Sequence, residues 1–169
     1  QMCIRDRYNN LIMNIAIVGA TGNVGRKVLE VLERKNLPIS EVYLVASARS
    51  AGSKINFKGK DIEVENLETF DFSKAKITFF AAGGKISEAY ASKAANHSIV
   101  IDNSSFYRMD PDVPLIVPQV NADDLKNIKK NIIANPNCST AQLVLPLKPI
   151  HELFKICLLY TSPSPRDSC

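Results

Sequence analysis

The sequence predicts an α/β protein whose core is a Rossmann-like, doubly wound and mainly parallel sheet. Short apolar runs alternate along the chain with longer segments of helical apolar periodicity, which is the pattern of strands joined by crossover helices. A glycine-rich turn separates the first apolar run from the first helical segment. The 169 residues are 46% hydrophobic and 22% charged, which suffices for one buried core.

The first strand, turn and helix indicate a nucleotide site. A buried strand is predicted at 14–18, the segment GATGNVG spans 19–25, and an amphipathic helix follows at 23–35. This order is the context that a dinucleotide fingerprint requires. The three glycines would permit the tight turn, the approach of the backbone to a pyrophosphate, and close helix–strand packing (Gly19, Gly22 and Gly25, respectively). The alternative is a tight turn without a ligand.

The residues after the second strand favour NADP over NAD. The strand is predicted at 41–46, and NAD sites typically carry an acidic residue there to bind the ribose 2′-hydroxyl. Here Arg49 stands between Ser47 and Ser50, and the next acidic residue is Asp61. A guanidinium between two hydroxyl groups suits a 2′-phosphate. The alternative for Arg49 is an ordinary solvated loop cation.

The remaining elements continue the alternation of strands and helices. A hairpin or extended excursion is predicted at 54–67. Further strands are predicted at 77–80, 98–101, 115–117 and 131–134, and further helices at 85–96, 121–127 and 139–154. The strand at 77–80 ends in small residues (81–84), which leave space for a flat ring at the carboxyl end of the sheet.

Cys138 is the candidate nucleophile. It lies in NPNCST (135–140), between an apolar run at 132–134 and an apolar-periodic segment at 143–154. This order predicts a strand, a turn, and a helix with Cys138 at its N-terminus. Unpaired N–H groups and the positive end of the helix dipole favour an anion there, and the thiolate is the nucleophilic form of cysteine. The alternative is that Cys138 is a small buried apolar side chain.

These segments together resemble the aspartate-β-semialdehyde dehydrogenase family. The matching stretches are GATGNVG, SARSAG, FFAAGG, IDNSSFYRMDPDVPLIVPQVN and NPNCSTAQ, in the family's order (19–25, 47–52, 79–84, 101–121 and 135–142). The resemblance implies the NADPH-dependent, reversible conversion of β-aspartyl phosphate to aspartate β-semialdehyde through a cysteine thioester. That reaction belongs to the pathway that leads to lysine, threonine and methionine.

The resemblance also implies a role for each site residue. Cys138 would accept the acyl group, and Arg108 and Asn137 would bind the substrate, with Arg108 at its phosphate. The residues implied to bind NADP are Gly19, Thr21, Gly22, Asn23, Val24, Ser47, Arg49 and Ser50, with Gly83, Gly84, Asn103 and Ser104 on the nicotinamide side of the cleft. For Arg108 the alternative is a surface ion pair with Asp110 or Asp112. No metal site is predicted.

The ends of the chain depart from the family's pattern. Residues 13–156 are predicted to form the nucleotide-binding domain, whereas 1–12 and 157–169 resemble non-native flanking sequence. The alternative is a genuine N-terminal arm and a genuine disordered tail. The family's general base and the arginine for the substrate carboxylate are expected from a second domain that this chain lacks. His97, at a predicted helix end, and His151, on the far part of the last helix, are poor candidates for the base. We therefore expect this chain to lack dehydrogenase activity. A homo-oligomeric parent protein is expected separately, from the family resemblance.

Three other function classes fit parts of the sequence. An N-acetyl-γ-glutamyl-phosphate reductase, with similar fold and chemistry, would be expected to carry glycine in place of Asn137. Short-chain dehydrogenases share the glycine turn but need Tyr and Lys four residues apart, and Tyr90 and Lys93 are three apart. The third is an NADP-binding module without catalysis.

Composition argues against several partners. The net charge of +4 is scattered, and the lysine clusters at 54–60 and 126–130 are typical of solvated faces rather than of nucleic-acid sites. The sequence contains no run of 18 apolar residues, so no membrane-spanning helix is expected. Three of the four cysteines (Cys3, Cys157 and Cys169) lie in the predicted flanks, so no disulfide framework is implied. We expect a cytoplasmic protein with a small-molecule substrate.

Overall fold

The computed structural model describes residues 13–35 and 37–159. The strands are β1 (Met13–Val18), β2 (Ile39–Ala46), β3 (Lys54–Phe57), β4 (Lys60–Asn66), β5 (Ile77–Phe80), β6 (Ile99–Asp102) and β7 (Ile132–Ala134). The helices are α1 (Asn23–Lys35), α2 (Gly84–Ala95), α3 (Pro118–Asn121) and α4 (Cys138–Phe154), with 3₁₀ turns at Phe72–Lys74 and Ala122–Asn127. The predicted flank 1–12, and the predicted tail after residue 159, lie outside the described residues.

The seven strands form one doubly wound sheet, as predicted. Their order is β3-β4-β2-β1-β5-β6-β7, and every neighbouring pair is parallel except β3 with β4. The chain moves from β1 to β2 on one side and then to β5 on the other, so the winding reverses at β1. The four residues of β1 from Ile15 to Val18 are buried, as expected for a parallel strand covered on both faces. Ligands of such sheets bind outside the carboxyl ends of the strands at this switch point.

Each face of the sheet packs a separate apolar core. On one face α1 contributes Leu29 and Leu32, and burial of each leucine stabilises the fold by roughly 1.5–3 kcal/mol. On the other face α2 contributes alanines, including Ala91 and Ala94, which pack with aromatic residues such as Phe80. The small side chains of α2 allow it to lie close to the strands. Both helices are thus fixed with their N-termini at the carboxyl ends of β1 and β5.

The predicted excursion at 54–67 is a hairpin that belongs to the sheet. β3 and β4 are joined by a two-residue turn in which Lys58 and Gly59 both have positive φ (50° and 76°). Such turns match the twist of the strands they connect. The end of β4 pairs in parallel with the end of β2, so the hairpin extends the sheet by two strands.

Two sequence predictions between β6 and β7 are wrong. In place of a strand at 115–117, Leu115 makes an isolated bridge to Ala134, because Pro114 and Pro118 lack the N–H groups that would extend a ladder. The predicted helix at 121–127 begins earlier, at Pro118, and its second half is a 3₁₀ turn. Proline favours the first turn of a helix, where its missing N–H has no intrahelical partner.

Helix α4 is largely exposed despite its apolar sequence. None of its residues is buried, and Leu153 and Phe154 are 76% and 77% exposed. It packs against α3. Within the part of the chain that the structure describes, no helix is long and apolar enough to cross a membrane.

Candidate active site

The glycine turn between β1 and α1 requires glycine at two of its positions. Gly19 has φ of +85°, and a Cβ there would lie 2.9 Å from the backbone of Ala81. A Cβ on Gly25 would lie 2.8 Å from the Cα of Ala20, so only glycine lets α1 approach the turn this closely. The same test leaves room at Gly22, whose Cβ would meet only Gly19 O at 3.4 Å. Gly22 is therefore not required by the packing of the turn.

The turn forms one wall of a cavity at the carboxyl ends of β1, β2 and β5. The cavity is about 260 Å³, and its lining includes four residues assigned to NADP: Gly19, Thr21, Gly22 and Ser47. The first N–H groups of α1, at Asn23 and Val24, have no intrahelical acceptor and are suited to an anion. The residues present therefore fit the pyrophosphate of a dinucleotide.

Arg49 lies in the turn that follows β2. Its side chain is exposed and has no ion pair within the described residues. The turn is fixed by the carbonyl of Ser47, which accepts hydrogen bonds from the N–H groups of Ser50 (2.8 Å) and Ala51 (3.1 Å). Sequence reasoning missed Arg26, whose Nε donates to the Thr21 carbonyl at 3.1 Å and ties α1 to the glycine turn.

A second cavity, of about 390 Å³, brings together most of the remaining predicted site residues. Its lining contains Val24, Gly83, Gly84, Asn103, Ser104, Arg108, Asn137 and Cys138, together with Ser105, Asn135 and Pro136. Val24 comes from α1, next to the glycine turn, so the two cavities are adjacent. Asn23, Arg49 and Ser50 line neither cavity. We refer to this second cavity as the cysteine pocket.

Cys138 is the first residue of α4, and its thiol is free and exposed. Asn137 caps the helix, because its side-chain oxygen accepts a hydrogen bond from the Ser139 N–H at 2.9 Å. The Cys138 Sγ donates to the same oxygen at 3.4 Å. The exposed position rules out the alternative of a buried apolar cysteine. A thiol at a capped helix N-terminus, open to a pocket, is placed to attack an electrophile.

Arg108 is held by backbone carbonyls rather than by surface carboxylates. Its Nε donates to the Asn135 carbonyl at 2.9 Å and its Nη2 to the Asn103 carbonyl at 3.2 Å. Asp110 and Asp112 instead pair with lysines, Lys130 and Lys129, both at 2.8 Å. The surface ion pair weighed for Arg108 is therefore absent. Its remaining N–H groups are available to an anion in the cysteine pocket.

Two residues that support the pocket received no role from the sequence. Asp102, at the end of β6, is fully buried and accepts hydrogen bonds from Ser87 and Ser104. Asn135, at the end of β7, donates from Nδ2 to the Asn103 side-chain oxygen at 2.6 Å. Both occur in the segments that carry the family resemblance, which was the available signal.

The described residues supply no histidine to the cysteine pocket. His97 follows α2 and His151 lies in the last turn of α4, and neither lines the cavity.

A larger cavity, of about 770 Å³, lies near the amino-terminal half of β2 and the hairpin. Its charged groups are partly paired already, as in Lys74 with Glu65, and none of the predicted site residues lines it.

A Rossmann-type sheet with a glycine turn at its switch point defines a dinucleotide-binding domain. The chain matches the family model for the NAD-binding domain of semialdehyde dehydrogenases over residues 14–128, and it belongs to that family. The resemblance predicted from the motifs is confirmed, and the cofactor class is a nicotinamide dinucleotide.

The named relatives of this chain are aspartate-semialdehyde dehydrogenases, consistent with the family assignment. The chain is 47% identical to the aspartate-semialdehyde dehydrogenase of Shewanella violacea over 145 residues, 85% of this chain and 43% of the relative. It resembles the solved structure of aspartate semialdehyde dehydrogenase II from Vibrio cholerae, complexed with ASA (TM-score 0.82, 47% identity, 84% and 47% of the two chains). The Candida albicans enzyme with NADP gives a TM-score of 0.69 at 30% identity, over 86% and 48% of the two chains. The chain thus spans less than half the length of these relatives.

Proposed function

We propose that the protein takes part in the NADPH-dependent reduction of β-aspartyl phosphate to aspartate β-semialdehyde, with Cys138 as the nucleophile. The observation that carries the proposal is the cysteine pocket, where a free thiol at a helix N-terminus and an arginine with unused donors line one cavity. This cavity adjoins the glycine turn of the nucleotide site. The substrate is inferred from the names of the relatives, which are aspartate-semialdehyde dehydrogenases.

Each residue has a defined part in the reaction. The Cys138 thiolate attacks the acyl carbon, the bond between that carbon and the phosphate oxygen breaks, and phosphate leaves toward Arg108. A thioester to Sγ remains. Bound NADPH supplies the hydride that reduces this thioester. The carbon–sulfur bond then breaks to release the aldehyde, and the thiolate is restored.

NADP is the proposed dinucleotide, and Arg49 is the proposed ligand of its 2′-phosphate. Arg49 is exposed beside Ser47, which lines the cavity of about 260 Å³ at the glycine turn, and it has no competing ion pair within the described residues. The first turn after β2 also lacks a carboxylate that would repel the phosphate. The Candida albicans relative with NADP is consistent with this assignment.

The general base and the group that binds the substrate carboxylate are proposed to come from a further part of the parent protein. Among the described residues, the cysteine pocket contains one cationic side chain, Arg108, and no base. Two functions must be added for turnover: removal of the thiol proton and recognition of the α-carboxylate. We therefore propose that residues 13–156 form the nucleotide half of a two-domain enzyme.

A chimera tests this function. Residues 14–154 would replace the matching segment of the Vibrio cholerae enzyme, and oxidation of aspartate semialdehyde by NADP⁺ would be followed in phosphate buffer. We expect phosphate-dependent activity that Cys138→Ala abolishes while NADP⁺ affinity stays within a few-fold. A Cys138→Ala chimera with a tenth of the parent rate would contradict covalent catalysis. The 169-residue chain assayed alone should bind NADPH without turnover.

A further inference from the structure

We propose that Asp102 is a positioning residue that holds Arg108 in place through the loop 103–108. This inference rests on the proposed role of Arg108 in binding phosphate. The sequence motifs assign no role to Asp102. Its side chain does not line the cysteine pocket, so any effect on the pocket must pass through other residues.

The carboxylate of Asp102 is fully buried and fully hydrogen-bonded. Oδ1 accepts from Ser87 Oγ of α2 at 2.8 Å and from the Ser104 N–H at 3.0 Å, and Oδ2 accepts from Ser104 Oγ at 2.7 Å. Its exposure is 0%, and no salt bridge reaches it within the described residues. Burial of a carboxylate without a cation is costly, so its hydrogen bonds are expected to fix a geometry that matters.

Ser104 passes this constraint along the loop. Its hydroxyl donates to Asp102 and accepts from the Phe106 N–H at 3.1 Å, so its single proton is used within the loop. The next step is the Arg108 N–H, which donates to the Ser105 carbonyl at 3.4 Å. The backbone between Asp102 and Arg108 is thereby folded into a compact turn. Ser104 accordingly supports the loop and does not offer its hydroxyl proton to the cofactor.

The guanidinium of Arg108 hydrogen-bonds back to the start of this loop. Arg108 Nη2 donates to the carbonyl of Asn103, the residue directly after Asp102, and Nε donates to the carbonyl of Asn135. If Asp102 releases Ser104, Asn103 moves with it, and one of the two carbonyls that orient Arg108 is displaced. A bidentate anion contact depends on this orientation, so displacement of about 1 Å is enough to weaken it substantially.

The test compares Asp102→Asn with the parent chain. Asparagine keeps the shape of the side chain but offers one acceptor oxygen in place of two, so either the Ser104 hydroxyl or the Ser104 N–H loses its partner. The readout is exchange of the Arg108 Nε–H with water in ¹⁵N-edited NMR spectra, assigned by its absence in Arg108→Lys. We expect exchange about tenfold faster in Asp102→Asn, because displacement of the Asn103 carbonyl releases Nη2, and the remaining bond from Nε to the Asn135 carbonyl then opens more often.

Two further variants separate positioning from general stability. Ser98→Ala removes a buried hydroxyl that bonds Thr78 at 2.8 Å and the Ala94 carbonyl at 3.0 Å, far along the strands from the pocket. It should lower thermal stability without a change in Arg108 exchange. Ser104→Ala combined with Asp102→Asn should have no larger effect on exchange than Asp102→Asn alone, because both act through one path.

Phosphate protection of Cys138 links the result to function. Alkylation of Cys138 by iodoacetamide, measured on its peptide by mass spectrometry, should be slowed by inorganic phosphate in the parent chain, and Asp102→Asn should weaken the apparent phosphate affinity about tenfold. Unchanged Arg108 exchange in Asp102→Asn, or an equal change in Ser98→Ala, would overturn the proposal. If exchange responds as expected but phosphate gives no protection in the parent chain, the positioning of Arg108 stands and its phosphate role is contradicted.

Discussion

At the scale of single residues, Gly25 and Gly22 separate packing from cofactor binding. A Cβ at position 25 would overlap the Gly19 carbonyl and Ala20, whereas one at position 22 fits at 3.4 Å. Gly25→Ala should therefore lower the free energy of unfolding by about 1–3 kcal/mol. Gly22→Ala should leave stability almost unchanged and weaken NADPH binding, because its Cβ would occupy the place proposed for the pyrophosphate. Denaturant unfolding and fluorescence titration with NADPH check both, and a stable Gly25→Ala would contradict the packing role.

The proposed preference for NADP over NAD also depends on a single residue, Arg49. Arg49→Ala should reduce affinity for NADPH by on the order of 1.5–3 kcal/mol, the value of a lost charge-assisted contact, and should leave NADH affinity nearly unchanged. Arg34→Ala, an exposed arginine in the last turn of α1, is the matched control and should alter neither affinity. Equal losses for NADPH and NADH in Arg49→Ala would place this side chain away from the 2′-phosphate.

At the scale of elements, two ion pairs connect the loop after Arg108 with the segment that precedes β7: Lys130 with Asp110, and Lys129 with Asp112. Hydrogen bonds from Lys130 and from the Asp112 N–H lower the pKa of Asp110 below its ordinary value of 3.8, and Asp110 raises the pKa of Lys130 above 10.5. Because the pKa of Asp110 is lowered, the contribution of the Asp110–Lys130 ion pair to stability is complete above pH 3.8. It is lost as the pH falls through the pKa of Asp110 in the folded protein. The raised lysine pKa means that it is lost again as the pH rises above 10.5.

Lys130→Met should therefore destabilise the protein most between these limits. The difference in free energy of unfolding from the parent should shrink on the acid side below pH 3.8 and on the alkaline side above 10.5, as followed by urea unfolding at a series of pH values. Lys60→Met, which removes a lysine without an ion pair within the described residues, is the control. A difference that does not vary with pH would show that Lys130 contributes through packing alone.

The sequence predicts elements well where one signal acts alone. β1 and α1 follow from an apolar run, a glycine turn and a helical period, and the structure has both within a residue of the predicted bounds. Between β6 and β7, prolines at 114 and 118 compete with an apolar run at 115–117. The apolar signal predicts a strand there, but the missing N–H groups decide the outcome.

The candidate site divides in the same way. Residues in the segments that follow strands, such as Asn103 after β6 and Cys138 after β7, are predictable because parallel strands bring their carboxyl ends together. The carbonyl partners of Arg108 and the burial of Asp102 depend on backbone positions contributed by two separate strands. No pattern in the sequence reports on such contacts. The sequence consequently offered surface carboxylates as partners for Arg108, and the structure shows backbone carbonyls.

At the scale of the whole molecule, the exposed apolar side chains of α4 predict association. Leu153 and Phe154 are more than three-quarters exposed, at 76% and 77%, on a helix that has no buried residue. We expect the 169-residue chain to self-associate with rising concentration in sedimentation experiments. Leu153→Glu together with Phe154→Glu should reduce association and leave NADPH affinity unchanged, since both residues are remote from the glycine turn. A monomer at all concentrations would contradict this.

The measurement that tests the central claim most directly is detection of the thioester on Cys138. In the chimera with the Vibrio cholerae enzyme, aspartate semialdehyde and NADP⁺ without phosphate should convert the thiol into an aspartyl thioester while NADPH is formed. Mass spectrometry of the peptide that contains Cys138 should show the added acyl group only when both substrates are present, and phosphate should remove it. NADPH formation with an unmodified Cys138, or an acyl group on another residue, would contradict the account.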